Sequence, residues 1–213
     1  MKNIAVLVSG GGTNLQALID AQARGEINGG QIGMVISSSP EAYALERAKQ
    51  ANIPSYILPR KNFGSNQLYT KALVGLLQEM GADVVVLAGF MVILTDEIVQ
   101  AYPNKVLNIH PALIPSFCGK GAYGLHVHEQ ALAYGVKVTG ATVHLVTAEP
   151  DGGPIVLQKA IDVLPDDTPE SLQRRVTEEC EWKLLPKAVD LLCRDELKVE
   201  GRTVKIIGGR VIV

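Results

Sequence analysis

Short runs rich in Val, Ile and Leu alternate with stretches of helical periodicity over residues 1–110, and few architectures accept that pattern. The run 4–8 reads as a buried strand, the glycines after it turn the chain, and Leu15, Leu18, Ile19 and Ala23 recur at helical spacing. Residues 32–37 read as a second strand, 40–51 as a helix rich in Ala, Glu, Arg and Lys, and 55–58 as a short third strand. Tyr69, Leu73, Leu76, Leu77 and Met80 mark a further helix that Gly81 stops, with strands following at 83–88 and 106–109. The pattern predicts an α/β fold, a mostly parallel sheet with helices on both faces. From about Lys137 the character changes: 138–146 and 155–163 read as long strands joined through Asp151-Gly152-Gly153-Pro154, and a helix opens at Thr168-Pro169. Residues 197–213 read as a peripheral hairpin-forming segment.

A chain of 213 residues makes one large domain or two small ones, and it can bury roughly 70% of the surface it exposes when unfolded. No internal repeat, low-complexity tract or flexible linker divides it, so a single domain over 1–213 is expected. Twenty Lys plus Arg against 22 Asp plus Glu give a net charge of -2, which leaves no bulk positive field for a nucleic acid or an anionic membrane. Small-molecule partners are the expectation, with no nucleic acid and no membrane. The apolar run 4–8 is too short for a targeting segment, and no stretch approaches the roughly 20 apolar residues that span a bilayer. Cys118, Cys180 and Cys193 form neither a disulfide framework nor a C-x-x-C pair, which points to a reducing, cytoplasmic compartment.

In open sheets of this kind ligands bind beyond the carboxyl ends of the strands. After the first strand stands Ser9-Gly10-Gly11-Gly12-Thr13-Asn14, where bare backbone approaches a ligand and a helix begins with free N–H groups that suit phosphate. It departs from G-x-G-x-x-G at Leu15, the second strand ends in Ser37-Ser38-Ser39 without a ribose-binding acid, and no P-loop lysine is present, so a monophosphate is favoured. The plain alternative is a glycine turn in which Thr13 or Asn14 caps the helix. Gly89-Phe90-Met91-Val92-Ile93-Leu94 is apolar where a chain usually turns polar, which suits a flat heteroaromatic ligand or else a roof on the core.

Strand alternation puts Asn108 and His110 on one side of Leu107-Asn108-Ile109-His110-Pro111. A carboxamide can donate to an oxyanion and an imidazole can carry a proton near neutrality, although a buried, hydrogen-bonded pair is the ordinary alternative. Asp151 is either a turn residue or a carboxylate that holds an imidazolium and raises its pKa. Together the three would serve an amine attacking an acyl carbon without metal or covalent intermediate. His126 and His128 point to different faces if they lie on a helix, His144 reads as a satisfied inward histidine, and Glu178 and Glu181 share a helix face.

In order and spacing, Ser9-Gly10-Gly11-Gly12-Thr13-Asn14, Ala88-Gly89-Phe90-Met91, Leu107-Asn108-Ile109-His110-Pro111 and Asp151-Gly152-Gly153-Pro154 resemble the phosphoribosylglycinamide formyltransferases of purine biosynthesis, over residues 1 to about 190. The resemblance implies a Rossmann-like, doubly wound formyltransferase fold with a C-terminal extension of mixed strands and a helix. It implies 10-formyltetrahydrofolate as formyl donor, 5'-phosphoribosylglycinamide as acceptor, and no metal. It divides the chain into a phosphate-binding half at 1–110, a folate and catalytic half at 111–190, and a tail at 191–213. The family's phosphate loop falls on Gly12, Thr13 and Asn14, and its pterin strip on Met91, Val92, Ile93 and Leu94. His110 matches its proton donor, Asn108 its oxyanion, formyl and folate partner, and Asp151 the carboxylate that raises the histidine pKa and orders water. Glu181 matches the acid that meets the acceptor ribose.

Two departures bear on folate binding. Family members often carry Arg where this chain has Val92, and a basic residue near Asn66 that meets the folate glutamate tail. The segment 117–124, with glycines at 119, 121 and 124, reads as a mobile flap in which Lys120 meets an anionic ligand. Formyltetrahydrofolate deformylases resemble the same site but carry an added N-terminal domain, for which a first strand at Ile4 leaves no room. A sensor of a phosphorylated nucleotide, binding without chemistry, is the reading from another class. Oligomeric state stays open between monomer and homodimer.

Overall fold

The computed structural model describes residues 1–208; the end of the tail, 209–213, lies outside the described residues. Nine strands form one sheet. They are β1 (Lys2–Val8), β2 (Gly30–Ser37), β3 (Ser55–Ile57), β4 (Val84–Leu87), β5 (Val106–His110), β6 (Val138–Leu145), β7 (Ile155–Asp162), β8 (Leu197–Glu200) and β9 (Thr203–Ile206), in the order β3-β2-β1-β4-β5-β6-β7-β9-β8. The first five are mutually parallel, as the alternation with helices predicts, and β6 and β7 add on antiparallel. The tail hairpin is not a detached appendage: Thr203 of β9 pairs with Ile155 of β7 and extends the sheet.

The apolar runs are continuous because both faces of the sheet are covered. Ile4, Val6, Val8, Val84 and Val86 face the layer of α1 (Thr13–Ala23), α2 (Ala44–Gln50) and α7 (Trp182–Cys193), packing with Leu15, Leu18, Ala48, Leu184 and Val189. Ala5, Leu7, Val85 and Leu87 face α3 (Asn66–Glu79) and α4 (Asp96–Ala101), packing with Tyr69, Leu73, Leu77 and Ile98. Two further helices, α5 (Leu125–Tyr134) and α6 (Pro169–Val176), flank the antiparallel part. Thr168 caps α6 with a reciprocal box to Ser171, and Pro169 occupies the first turn, as the Thr168-Pro169 pair predicts.

Two departures from the sequence reading shape the site. The helix expected at 40–51 begins only at Ala44, because residues 40–43 turn so that the Ala44 N–H bonds the Gly10 carbonyl at 3.1 Å and docks α2 on the glycine loop. After α6 the chain forms a π-helical turn, Thr177–Glu181, before α7, which no propensity signals.

Candidate active site

In this sheet the chain order reverses between β1 and β4, so a crevice opens beyond their carboxyl ends. Gly12 forms the N-terminal boundary of α1 with φ 72°, and a Cβ there would lie 2.6 Å from the Cβ of Ala44. Both the left-handed backbone and the contact with α2 require glycine. Among the described residues no side chain caps α1, so the plain alternative of a Thr13 or Asn14 cap is not what the loop does, and its first N–H groups are left for a ligand. Asn14 instead donates its Nδ2 to Glu181 Oε2 at 2.6 Å in a buried pair, and burial pushes the Glu181 carboxyl up against the opposing effect of that bond. Ser9 ties the loop to the next strand end: its Oγ accepts the Met91 N–H at 2.9 Å and lies 2.6 Å from Ser38 Oγ.

Beyond β4, Met91 and Ile93 turn outward, while Val92 and Leu94 pack on the α3 side of the core. The apolar strip is therefore half roof and half exposed surface.

Asn108, His110 and Asp151 come together although Asp151 is far away in sequence. Asp151 Oδ2 lies 3.6 Å from His110 Nδ1, and Asn108 Nδ2 donates to Asp151 Oδ1 at 3.3 Å. Asp151 has φ 54°, unusual for a residue with a side chain, and Gly153 lies so close to the Leu145 carbonyl that a Cβ would sit 1.7 Å from its oxygen. The turn is thus both a turn and a carboxylate mount.

His110 Nε2 donates to the Phe117 carbonyl at 2.8 Å, which fixes that proton and leaves Nδ1 facing the carboxylate. A second proton on Nδ1 relieves the opposition between lone pair and anion. Asp151 does pull the histidine pKa upward, as expected, but the larger influence is burial. Burial pushes the imidazole below its ordinary value, and the upward pulls of Asp151 and the Phe117 carbonyl only partly offset it. Burial also drives the Asp151 carboxyl up, but His144, His110 and the Gly119 N–H outweigh it and hold it low.

Two histidines set aside in the sequence line this region. His144 faces Asn108 in the antiparallel register of β5 and β6. Its Nδ1 donates to the Leu145 carbonyl at 3.0 Å, so in the neutral ring Nε2 accepts from Asn108 Nδ2 at 3.1 Å, and in the protonated ring Nε2–H faces Asp151 Oδ1 at 3.5 Å. The satisfied inward histidine is also the residue that orients the carboxamide. Both hydrogens of the Asn108 amide are consequently engaged, one by His144 and one by Asp151. On α5, His126 is exposed and meets Glu129, whereas His128 is fully buried with both ring nitrogens unpartnered among the described residues, and burial pushes its pKa down to about 4.

Two cavities meet here. One, of about 750 Å³, is lined by the glycine loop, His110, His128, Glu178, Glu181 and the polar side of α6. The other, of about 530 Å³, is lined by 90–94, Val146, His144 and the segment 119–123. Asn108, Asp151, Phe90, Met91, Ala122 and Tyr123 belong to both. The flap is held on the site by Gly119, whose N–H donates to Asp151 Oδ2 at 2.9 Å, and Lys120 lines the second cavity. Asn66 lines neither cavity; its Oδ1 accepts from Arg60 Nε at the start of α3. Among the described residues no group of three His, Cys, Asp or Glu side chains is placed to hold a metal ion.

A family model described as formyl transferase matches residues 2–189, which include the loop, the strip and all three central side chains. The chain belongs to the formyl transferase family. Among the relatives of this formyl transferase, the phosphoribosylglycinamide formyltransferase of Haemophilus influenzae is 41% identical over 208 residues, covering 98% of this chain and 95% of its own. A glycinamide ribonucleotide transformylase structure from Symbiobacterium toebii superposes with a TM-score of 0.91 at 44% identity, covering 97% of this chain and 94% of that one. A formyltetrahydrofolate deformylase from Pseudomonas syringae superposes at 0.85 with 28% identity, and this chain covers 66% of its length. The Rossmann-like, mostly parallel sheet with mixed C-terminal strands is thus the fold of this family.

Proposed function

We propose that the protein transfers the formyl group of 10-formyltetrahydrofolate to the amine of 5'-phosphoribosylglycinamide, a step of purine biosynthesis in the cytosol. One observation carries this reading: Asn108 and Asp151 line both cavities, so ligands held in the two meet at these side chains beside His110. The acceptor phosphate takes the free N–H groups of Gly12, Thr13 and Asn14, its ribose takes Glu181, and the pterin lies along Met91, Val92, Ile93 and Leu94. Relatives that match nearly the whole chain bear the name of this activity. No helix among the described residues is long and apolar enough to cross a membrane, and Cys118, Cys180 and Cys193 are all free, which suits a reducing compartment.

The acceptor amine attacks the formyl carbon and an oxyanion develops on the formyl oxygen. Asn108 turns its longer bond, the one to Asp151, toward that oxygen, while His144 keeps the amide in orientation. His110, neutral at rest because burial lowers its pKa, gains positive charge as it takes up by way of water the proton lost by the amine; Asp151 holds that imidazolium, and the proton passes on to the departing folate nitrogen. The 3.6 Å between His110 Nδ1 and Asp151 Oδ2 is looser than a hydrogen bond and closes in the liganded site.

The likeness to a deformylase favours a second reading, transfer of the formyl group to water. Incubating the protein with 10-formyltetrahydrofolate, with and without phosphoribosylglycinamide, separates the two. Donor loss that requires the acceptor supports transfer; equal loss without it establishes hydrolysis and overturns the proposal, as does no loss in either case.

A further inference from the structure

From α6 through the π-helical turn, Glu170, Gln173, Arg174, Thr177, Glu178 and Glu181 form one polar stripe on the wall of the larger cavity, while Leu172, Val176 and Cys180 are buried in the core behind it. Within that cavity lining, Arg174 is the one Lys or Arg side chain, against four carboxylates, Asp151, Glu170, Glu178 and Glu181. Its neighbour Arg175 is structurally committed: Nη1 bonds Asp167 at 2.7 Å, Nη2 the Asp162 carbonyl at 3.0 Å, and Nε lies 3.4 Å from Glu179. The exposed Arg174 side chain makes no hydrogen bond or ion pair among the described residues, not even with Glu170 or Glu178 on its own stripe.

The glycine loop supplies only N–H dipoles, and Asn14, which could have turned its amide to a ligand, is committed to Glu181. A doubly charged phosphate entering a cavity lined by four acids is held more firmly where a full positive charge adds to the fractional charge of the helix terminus. We propose that Arg174 supplies it: the guanidinium grips the acceptor phosphate from the α6 wall while the α1 terminus holds it from the loop. This assignment rests on the reading above and names the residue that makes that site select a phosphorylated acceptor. A planar fork of donors on one face and amides on another fixes the phosphate in orientation as well as charge.

The test is calorimetric titration of wild type, Arg174→Gln and Arg174→Lys with phosphoribosylglycinamide, with the same ligand lacking its phosphate, and with inorganic phosphate. Loss of a charge-assisted contact weakens the phosphorylated ligand by about 10- to 100-fold in Arg174→Gln, with partial recovery in Arg174→Lys. The ligand without phosphate changes by less than about 2-fold, because the lost contact is absent from it. Equal weakening of both ligands, or none in either, overturns the inference. Wild type that binds inorganic phosphate through Arg174 but not phosphoribosylglycinamide refutes the acceptor and keeps the arginine's role; wild type that binds none of the three refutes both.

Discussion

Asn108 has two amide hydrogens, and without ligands both are engaged, so its service to an oxyanion is an exchange of partners. Asn108→Ala should lower kcat by about 100- to 1000-fold, measured in steady-state formyl transfer. His110 carries a second prediction. Burial depresses its pKa and Asp151 opposes that, so replacing the anion removes an upward pull. Asp151→Asn should move the His110 titration still lower, read from its imidazole resonances in NMR; an upward move would contradict the account. His128 tests the same physics through stability. The folded chain holds this imidazole down to about 4 from the ordinary value of 6.5, so the unfolded chain binds the extra proton between those limits. Its contribution is complete above the ordinary value and is lost as pH falls toward about 4, a cost of a few kcal/mol. His128→Met should flatten that acid loss in denaturant titrations across the window, and an unchanged slope would refute it.

At the scale of elements, the π-helical turn decides what Glu181 does. On an uninterrupted α-helix Glu178 and Glu181 share one face, as the spacing suggests; after the wide turn both reach the cavity, but Glu178 is exposed and Glu181 is buried against Asn14. Glu181→Ala strands a buried amide and should cost about 1–3 kcal/mol in thermal or chemical unfolding, whereas Glu181→Gln keeps an acceptor for Asn14 and should cost much less. Nothing local in the sequence announces the turn, since its signal is a change in hydrogen-bond register rather than a residue type. His144 was hidden for a related reason. Its partnership with Asn108 follows from antiparallel pairing of β5 with β6, a long-range register that local patterning does not contain. The alternating polar residues of the two strands, Asn108 and His110 on β5 and Thr142 and His144 on β6, are the signal that could have found it. The glycine loop was legible because a left-handed φ at Gly12 is a local demand, whereas its contact with Ala44 on α2 is not.

Across the molecule, the five parallel strands were readable because a sheet buried on both faces writes continuous apolar runs. The convergence of Asn108, His110 and Asp151 was suggested by chemistry and by family resemblance, but the meeting of two cavities at Asn108 and Asp151 depends on the whole fold. That dependence makes the site sensitive to the layers behind it. Leu73→Ala, in the α3 layer under the strands that end at the apolar strip, should destabilise by about 2–5 kcal/mol in denaturant unfolding. The central claim, that the side chains where the cavities join perform the chemistry, is tested most directly by single-turnover formyl transfer in His110→Ala alongside equilibrium binding of each ligand. The account predicts a rate lower by about 100- to 10,000-fold with both dissociation constants within a few-fold of wild type. Turnover at the wild-type rate, or a loss explained wholly by weaker binding, would contradict it.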